Sequence, residues 1–188
     1  VPRAGLDAAA VTEAGATLAD EIGLDRLSMG AVAERLGVRT PSLYKHVESL
    51  ADLVHRIAVL GATEVAASMG DATRGRAGVD ALAGAAHSLR DYVRQHPGRY
   101  AAGVRARPVG DDDPLIPARD RTLEALGTVL HGYRLDEADR IHALRTLRSV
   151  LHGFATLEAS DSFQMSTDIE ESFAWVLDFI DRGLRDRA

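Results

Sequence analysis

The stretch Leu27 to Leu53, LSMGAVAERLGVRTPSLYKHVESLADL, constrains the fold of this chain more than any other. Ser28 precedes a run of helix formers that Gly37 ends, which predicts a short helix over Met29–Leu36 with Ser28 as its N-cap. Thr40-Pro41 opens a second short helix, expected over Pro41–His46, because threonine caps and proline is tolerated at the first helical position. A tight turn at Gly37-Val38 must join the two, and glycine takes the left-handed conformation such a turn needs. Ala33 is small enough to let the helices cross closely, with Val38 and Leu43 packing under the turn. This is a helix-turn-helix pattern, the arrangement in which the second helix enters the DNA major groove and the first crosses the backbone.

Around this motif the chain reads as helix throughout. Ala, Leu, Arg and Glu are abundant and β-branched alternation is nearly absent. A first helix is expected over about Gly5 to Ile22, closed by Gly23, and Ser49 is expected to cap a long helix running to about Met69. Further helices are expected over Val79–His96, Gly98–Val104, Pro114–Gly132, from the Asp136 cap to Ala159, and over Asp168–Arg185. Polar stretches at Gly70–Gly78, Arg105–Asp113 and Ser160–Thr167 separate them. The expected fold is all-α with about nine helices. An N-terminal three-helix helix-turn-helix domain occupies residues 1–48, and a larger C-terminal helical domain occupies 49–188.

Several function classes fall away at once. The 188 residues contain no cysteine, so no disulfide framework and no thiolate metal or redox site exists. No apolar run approaches the roughly 20 residues of a membrane span, and no signal-peptide core opens the sequence, so a cytoplasmic protein without a membrane partner is expected. His131, His142 and His152 are spaced about ten apart, without the three- or four-residue separation that puts two metal ligands on one helix face. Asp111-Asp112-Asp113 reads as a solvated acidic loop. No nucleophile motif, phosphate loop or dinucleotide fingerprint appears, so neither enzyme activity, nor a metal, nor a cofactor is expected. The net charge is -6, yet Arg26–His46 holds four cations, Arg26, Arg35, Arg39 and Lys45, against Glu34 alone. A small basic patch on an acidic body suits a protein that meets a polyanion with one face.

The motif resembles the DNA-binding domain of the TetR family of bacterial transcriptional regulators. The matching features are Leu27-Ser28, Ala31-Val32-Ala33, Gly37-Val38, Ser42-Leu43-Tyr44, His46 and Leu53. Two positions depart from the family pattern: Val47 replaces a usual phenylalanine, a packing change, and Leu50 a usual lysine, which removes a possible backbone contact. The resemblance implies that Tyr44 and His46 hydrogen-bond DNA phosphates. Lys45 and Arg39 can reach phosphates or a guanine edge. Thr40, Ser42 and Ser28 offer hydroxyls at helix N-termini, where anions are favoured; capping is the alternative role for Thr40 and Ser28, and a half-buried core position that for Tyr44. Arg26 and Arg35 read as solvated or ion-paired.

A recognition helix of six residues reaches only a few base pairs, so a homodimer reading two half-sites of a palindromic double-stranded operator is expected. Apolar stripes on the last two helices, including Leu144, Leu147, Leu151, Phe173, Val176 and Ile180, suit a four-helix bundle between protomers, or equally burial within one chain. From about Val79 the chain resembles the ligand-sensing domain of those TetR relatives named for a Trp-His-Gly tripeptide, here Leu151-His152-Gly153, with YVRQHPGRY at Tyr92–Tyr100 as a supporting stretch. The resemblance implies an unidentified small-molecule effector. Polar or aromatic residues interrupting apolar faces are the candidate ligand contacts: Glu64, His87, Tyr92, Tyr100, Tyr133, His152 and Trp175. The function implied is a ligand-responsive repressor. The alternative is a helical small-molecule-binding protein or enzyme in which the helix-turn-helix only packs.

Overall fold

Capping residues fix where the helices begin, and in most cases they are the ones the sequence offers. The computed structural model describes residues 6–187, with nine α-helices, one 3-10 turn and no strand among them. They are α1 (Ala8–Ile22), the 3-10 turn Leu24–Arg26, α2 (Met29–Arg35), α3 (Thr40–Leu43), α4 (Leu50–Thr73), α5 (Gly78–Gln95), α6 (Pro97–Arg105), α7 (Leu115–Leu130), α8 (Glu137–Ala159) and α9 (Ile169–Arg185). Asp7 caps α1 by accepting from the Ala10 N–H at 2.7 Å, which starts that helix at Ala8; the expected start, Gly5, lies outside the described residues. Asp136 and Asp168 cap α8 and α9 in the same way.

Several helix ends differ from the sequence reading. α4 runs on to Thr73, whose hydroxyl donates to the Met69 carbonyl, so the expected polar loop loses its first four residues to helix. The break expected at Pro97-Gly98 narrows to His96 alone, because Pro97 sits at the start of α6, where its missing N–H costs nothing.

The chain packs as two compact units. The first comprises the chain to Ala62 together with Gln95–Leu115, and the second comprises Thr63–Arg94 and Ile116–Ala188. Packing therefore draws its boundary inside α4 and takes α6 into the first unit, where the sequence suggested a division after residue 48. The core of the first unit gathers Val11, Ala16 and Ala19 of α1, Val32 of α2, Leu43 of α3, and Leu53 and Ile57 of α4, all fully buried. In the second unit α5 buries Leu82, Leu89 and Val93, α8 buries Leu147, Leu151 and Phe154, and α9 buries Phe173 and Ile180. No helix among the described residues is long and apolar enough to cross a membrane.

Candidate nucleic-acid interface

The helix-turn-helix is held by local hydrogen bonds that the sequence dictates. Ser28 accepts from the Ala31 N–H at 3.2 Å and so starts α2. At the other end Gly37 takes φ +65°, and two bonds close the turn: Val38 N–H to Ala33 C=O at 3.0 Å and Gly37 N–H to Glu34 C=O at 3.0 Å. This is the paired bonding of a Schellman turn, which needs a residue tolerant of the left-handed region. Arg39, not Thr40, is the N-cap of α3, and no side chain caps it. Capping is thus corrected as a role for Thr40, which stands at the first helical position with Pro41 next to it, where a missing N–H leaves no intrahelical bond unmade. The regular helix ends at Leu43, and turns closed by His46 N–H and Val47 N–H onto the Leu43 carbonyl carry the backbone on to Val47.

Beneath this turn lie Val32, Ala33, Leu43 and Val47, all buried, so α3 stands on a packed floor. Leu50, where the family pattern has lysine, is partly buried against the same core. The outward face is the opposite in character. Tyr44 is 53% exposed, which excludes the half-buried core role. Arg39, Lys45 and Ser28 are exposed, while Thr40, Ser42 and His46 are half-buried. Neither the Arg39 nor the Lys45 side chain makes an ion pair among the described residues. Arg35 is committed elsewhere: its guanidinium grips both carboxylate oxygens of Glu21 on α1, at 2.5 and 2.7 Å, and this hydrogen bonding holds Glu21 below the usual glutamate range. Arg39 and Lys45 thus flank α3, one at the cap before it and one in the turn after it.

Comparison with known proteins accords with this geometry. Residues 11–57 match the model of the tetR family of bacterial regulatory proteins, and residues 82–180 match that of the tetracyclin repressor-like C-terminal domain. An uncharacterized HTH-type transcriptional regulator of Bacillus subtilis (strain 168), YobS, is 33% identical over 174 residues, which span 93% of this chain and 90% of that protein. This chain belongs to the TetR family. It is a DNA-binding transcriptional regulator of that family, with the all-α fold its members share. A Rhodococcus sp. RHA1 protein of unknown function superposes with a TM-score of 0.81 at 17% identity, covering 98% of each chain. A single-residue variant of TetR from Acinetobacter baumannii AYE, solved in complex with minocycline, superposes with a TM-score of 0.69 at 24% identity over 98% of this chain and 99% of that one.

The second unit of this TetR-family protein redistributes the residues singled out for dimerisation. Leu147, Leu151, Phe173 and Ile180 are buried within their own chain, where they hold α8 and α9 in the unit's core; Leu144 and Val176 are half-buried. The exposed apolar members lie on the flank of the stripe. Trp175 and Phe179, each 62% exposed, stack with ring centroids 5.4 Å apart on α9, and Ile141 and Leu157 are exposed on α8.

The candidate ligand contacts also separate. Trp175 is a surface residue. His87 is exposed, its ring edge-on to Phe173 at 5.1 Å. Tyr133 is buried with its hydroxyl donating to Asp181 at 2.6 Å, and burial holds the phenol well above its ordinary range. Tyr100 belongs to the first unit, whereas the other six belong to the second. Glu64 and Tyr92 meet, the tyrosine hydroxyl donating to the carboxylate at 2.7 Å. His152 is half-buried, and its pKa is lowered by desolvation first and by Arg148 second.

Among the described residues the most buried arginine was not singled out from the sequence. Arg90 on α5 is 3% exposed and donates to both oxygens of Glu158 and both of Glu170, with Phe173 and Phe154 against its guanidinium plane at 4.5 and 5.7 Å. Its one sequence signal is position: it follows Leu89 directly and lies four residues after Ala86, on the apolar face of α5.

Proposed function

We propose that this protein is a homodimeric repressor that binds a palindromic operator through Arg39, Thr40, Ser42, Tyr44, Lys45 and His46, with Ser28 adding a contact from α2, and that a small molecule releases it. The observation that carries this reading is the pair of exposed cations without an ion pair, Arg39 and Lys45, that flank α3 on a chain whose net charge is -6. Phosphate contacts there would position the protein, and Lys45 or Arg39 would read base edges. The exposed Trp175–Phe179 pair with Ile141 and Leu157 supports a partner face on α8 and α9. The likeness of residues 82–180 to the tetracyclin repressor-like C-terminal domain, and the minocycline complex of the Acinetobacter protein, support the second unit as the effector's receiver. An effector releases DNA only by binding the DNA-incompetent state more tightly. The double variant Tyr44→Ala/Lys45→Ala tests the DNA face: operator affinity is expected to fall by about a hundredfold with thermal unfolding unchanged. Unchanged affinity removes these residues from the mechanism.

A further inference from the structure

The two carboxylates that Arg90 holds differ in their access to water. Glu158 of α8 has a side chain only 11% exposed and accepts from Nε and Nη2 of the guanidinium, each at 2.6 Å. Glu170, in the first turn of α9, has a side chain 66% exposed and accepts from Nη1 and Nη2, each at 2.7 Å. Each edge of the guanidinium is therefore a bidentate carboxylate seat. The inner seat is filled by a carboxylate that belongs to the core, and the outer one by a side chain reaching in from the surface. An ion pair with one member in water is weakly held, because solvent screens it and the long side chain regains rotamer freedom when it leaves. The surroundings of the outer seat suit a carboxylate joined to an apolar ring. Phe173 lies 4.5 Å from the guanidinium and packs against Phe154 at 4.9 Å. Phe163, in the connection between α8 and α9, extends this aromatic wall at 5.0 Å from Phe154. The hydrogen bond from Arg90 holds the Glu170 carboxyl below the usual glutamate range against the effect of burial, and the charges of Arg90, Arg94 and His87 act in the same direction. All of these residues lie in the second unit.

We propose that the outer edge of Arg90 is the anion-binding point of an effector site that takes an aromatic monocarboxylate, and that Glu170 is the built-in competitor for it. The proposal rests on the effector reading above and gives that effector a chemical class. The ligand carboxylate replaces that of Glu170 on Nη1 and Nη2, its ring lies against the phenylalanine wall, and Glu158 keeps Arg90 in place. Occupation therefore unties the first turn of α9 from α5 while α8 stays joined to α5. The ligand thus has different affinities for two states of α9, which is what a switch requires.

The test uses the full-length protein without DNA. Benzoate is the probe, benzamide its uncharged counterpart and acetate its counterpart without the ring. Binding is followed by calorimetry and by the fluorescence of Trp175, the only tryptophan, five residues after Glu170. An internal competitor lowers apparent affinity by the fraction of time it leaves the seat open, so Glu170→Ala is expected to bind benzoate about tenfold or more tighter than the native protein. Arg90 keeps Glu158 in that variant, so no buried charge is stranded. Benzamide and acetate are each expected to bind Glu170→Ala about tenfold or more weakly than benzoate, the first for want of a charge to match the guanidinium and the second for want of a ring to bury. Adding Arg90→Lys to Glu170→Ala, which keeps the charge but loses the fork, is expected to abolish the gain. Equal benzoate affinity in the native and Glu170→Ala proteins, or equal affinity of Glu170→Ala for benzoate and benzamide, overturns the seat. Operator affinity that stays unchanged while benzoate occupies the seat overturns the effector reading instead, which distinguishes the two failures.

Discussion

Arg39 and Lys45 stand on the surface of the helix-turn-helix with no ion pair among the described residues, whereas Arg90 lies buried between Glu158 and Glu170 with two phenylalanine rings against it. The side chains are alike in charge and opposite in use. A cation left in water keeps its Coulombic attraction for a partner that arrives later, which we propose is a phosphate or a base edge. A cation buried among carboxylates has that attraction satisfied: hydrogen bonds to Glu158 and Glu170 raise its pKa above the ordinary arginine value, and it is committed to the fold. The contrast separates an exposed cationic surface, which we propose is kept for binding, from a buried cation that joins α5, α8 and α9.

The largest effect that would break this contrast is on stability. Arg90→Ala leaves the nearly buried Glu158 without its partner and is expected to cost about 3–5 kcal/mol in urea unfolding, because removing one member of a buried pair strands the other. Lys45→Ala and Arg39→Ala sharpen it from the other side. Each is expected to lose about 1–3 kcal/mol of operator affinity, with the salt slope falling by about one for a phosphate contact, and no change in unfolding. A smaller effect concerns Asp113, which accepts from the Leu115 and Val109 N–H groups and faces His55 Nε2 at 3.1 Å. The Leu115 bond first, then Val109 and His55, hold its carboxyl below the usual aspartate range against the opposing effect of burial. A lowered pKa means that the stability it contributes is present above the ordinary aspartate value and is lost as pH falls through the depressed one. Asp113→Asn is therefore expected to be less stable than the native protein near neutrality, with the gap closing on acidification; a gap independent of pH contradicts this.

Local chemistry made the helix-turn-helix legible in the sequence. The Ser28 cap and the Gly37 turn act over three to five residues, and both stand in the structure where the pattern places them. The end of α3 was less legible, since the backbone continues past Leu43 as hydrogen-bonded turn rather than helix. Long-range pairs were not legible. Arg90 and Arg99 meet partners 68 to 86 residues away, and helical spacing carries no signal of such pairing. In YVRQHPGRY the aromatic Tyr100 draws the eye, yet its neighbour Arg99 makes the bond to Asp20 of α1. The stripes of α8 and α9 show that spacing identifies an apolar face without saying what covers it. Leu147, Leu151, Phe173 and Ile180 face their own chain, and Trp175 and Phe179, one turn apart on the flank, remain outside.

The measurement that bears most directly on the central claim is binding to DNA from around the protein's own gene, by fluorescence anisotropy across several salt concentrations, beside unrelated DNA. An unpaired cationic face with hydroxyls and Tyr44 set on a rigid floor predicts saturable binding with a preference of about a thousandfold or more for one sequence. Equal, weak and steeply salt-dependent binding to both DNAs would mean that α3 offers only charge, and would contradict its assignment as a reader of sequence at this locus.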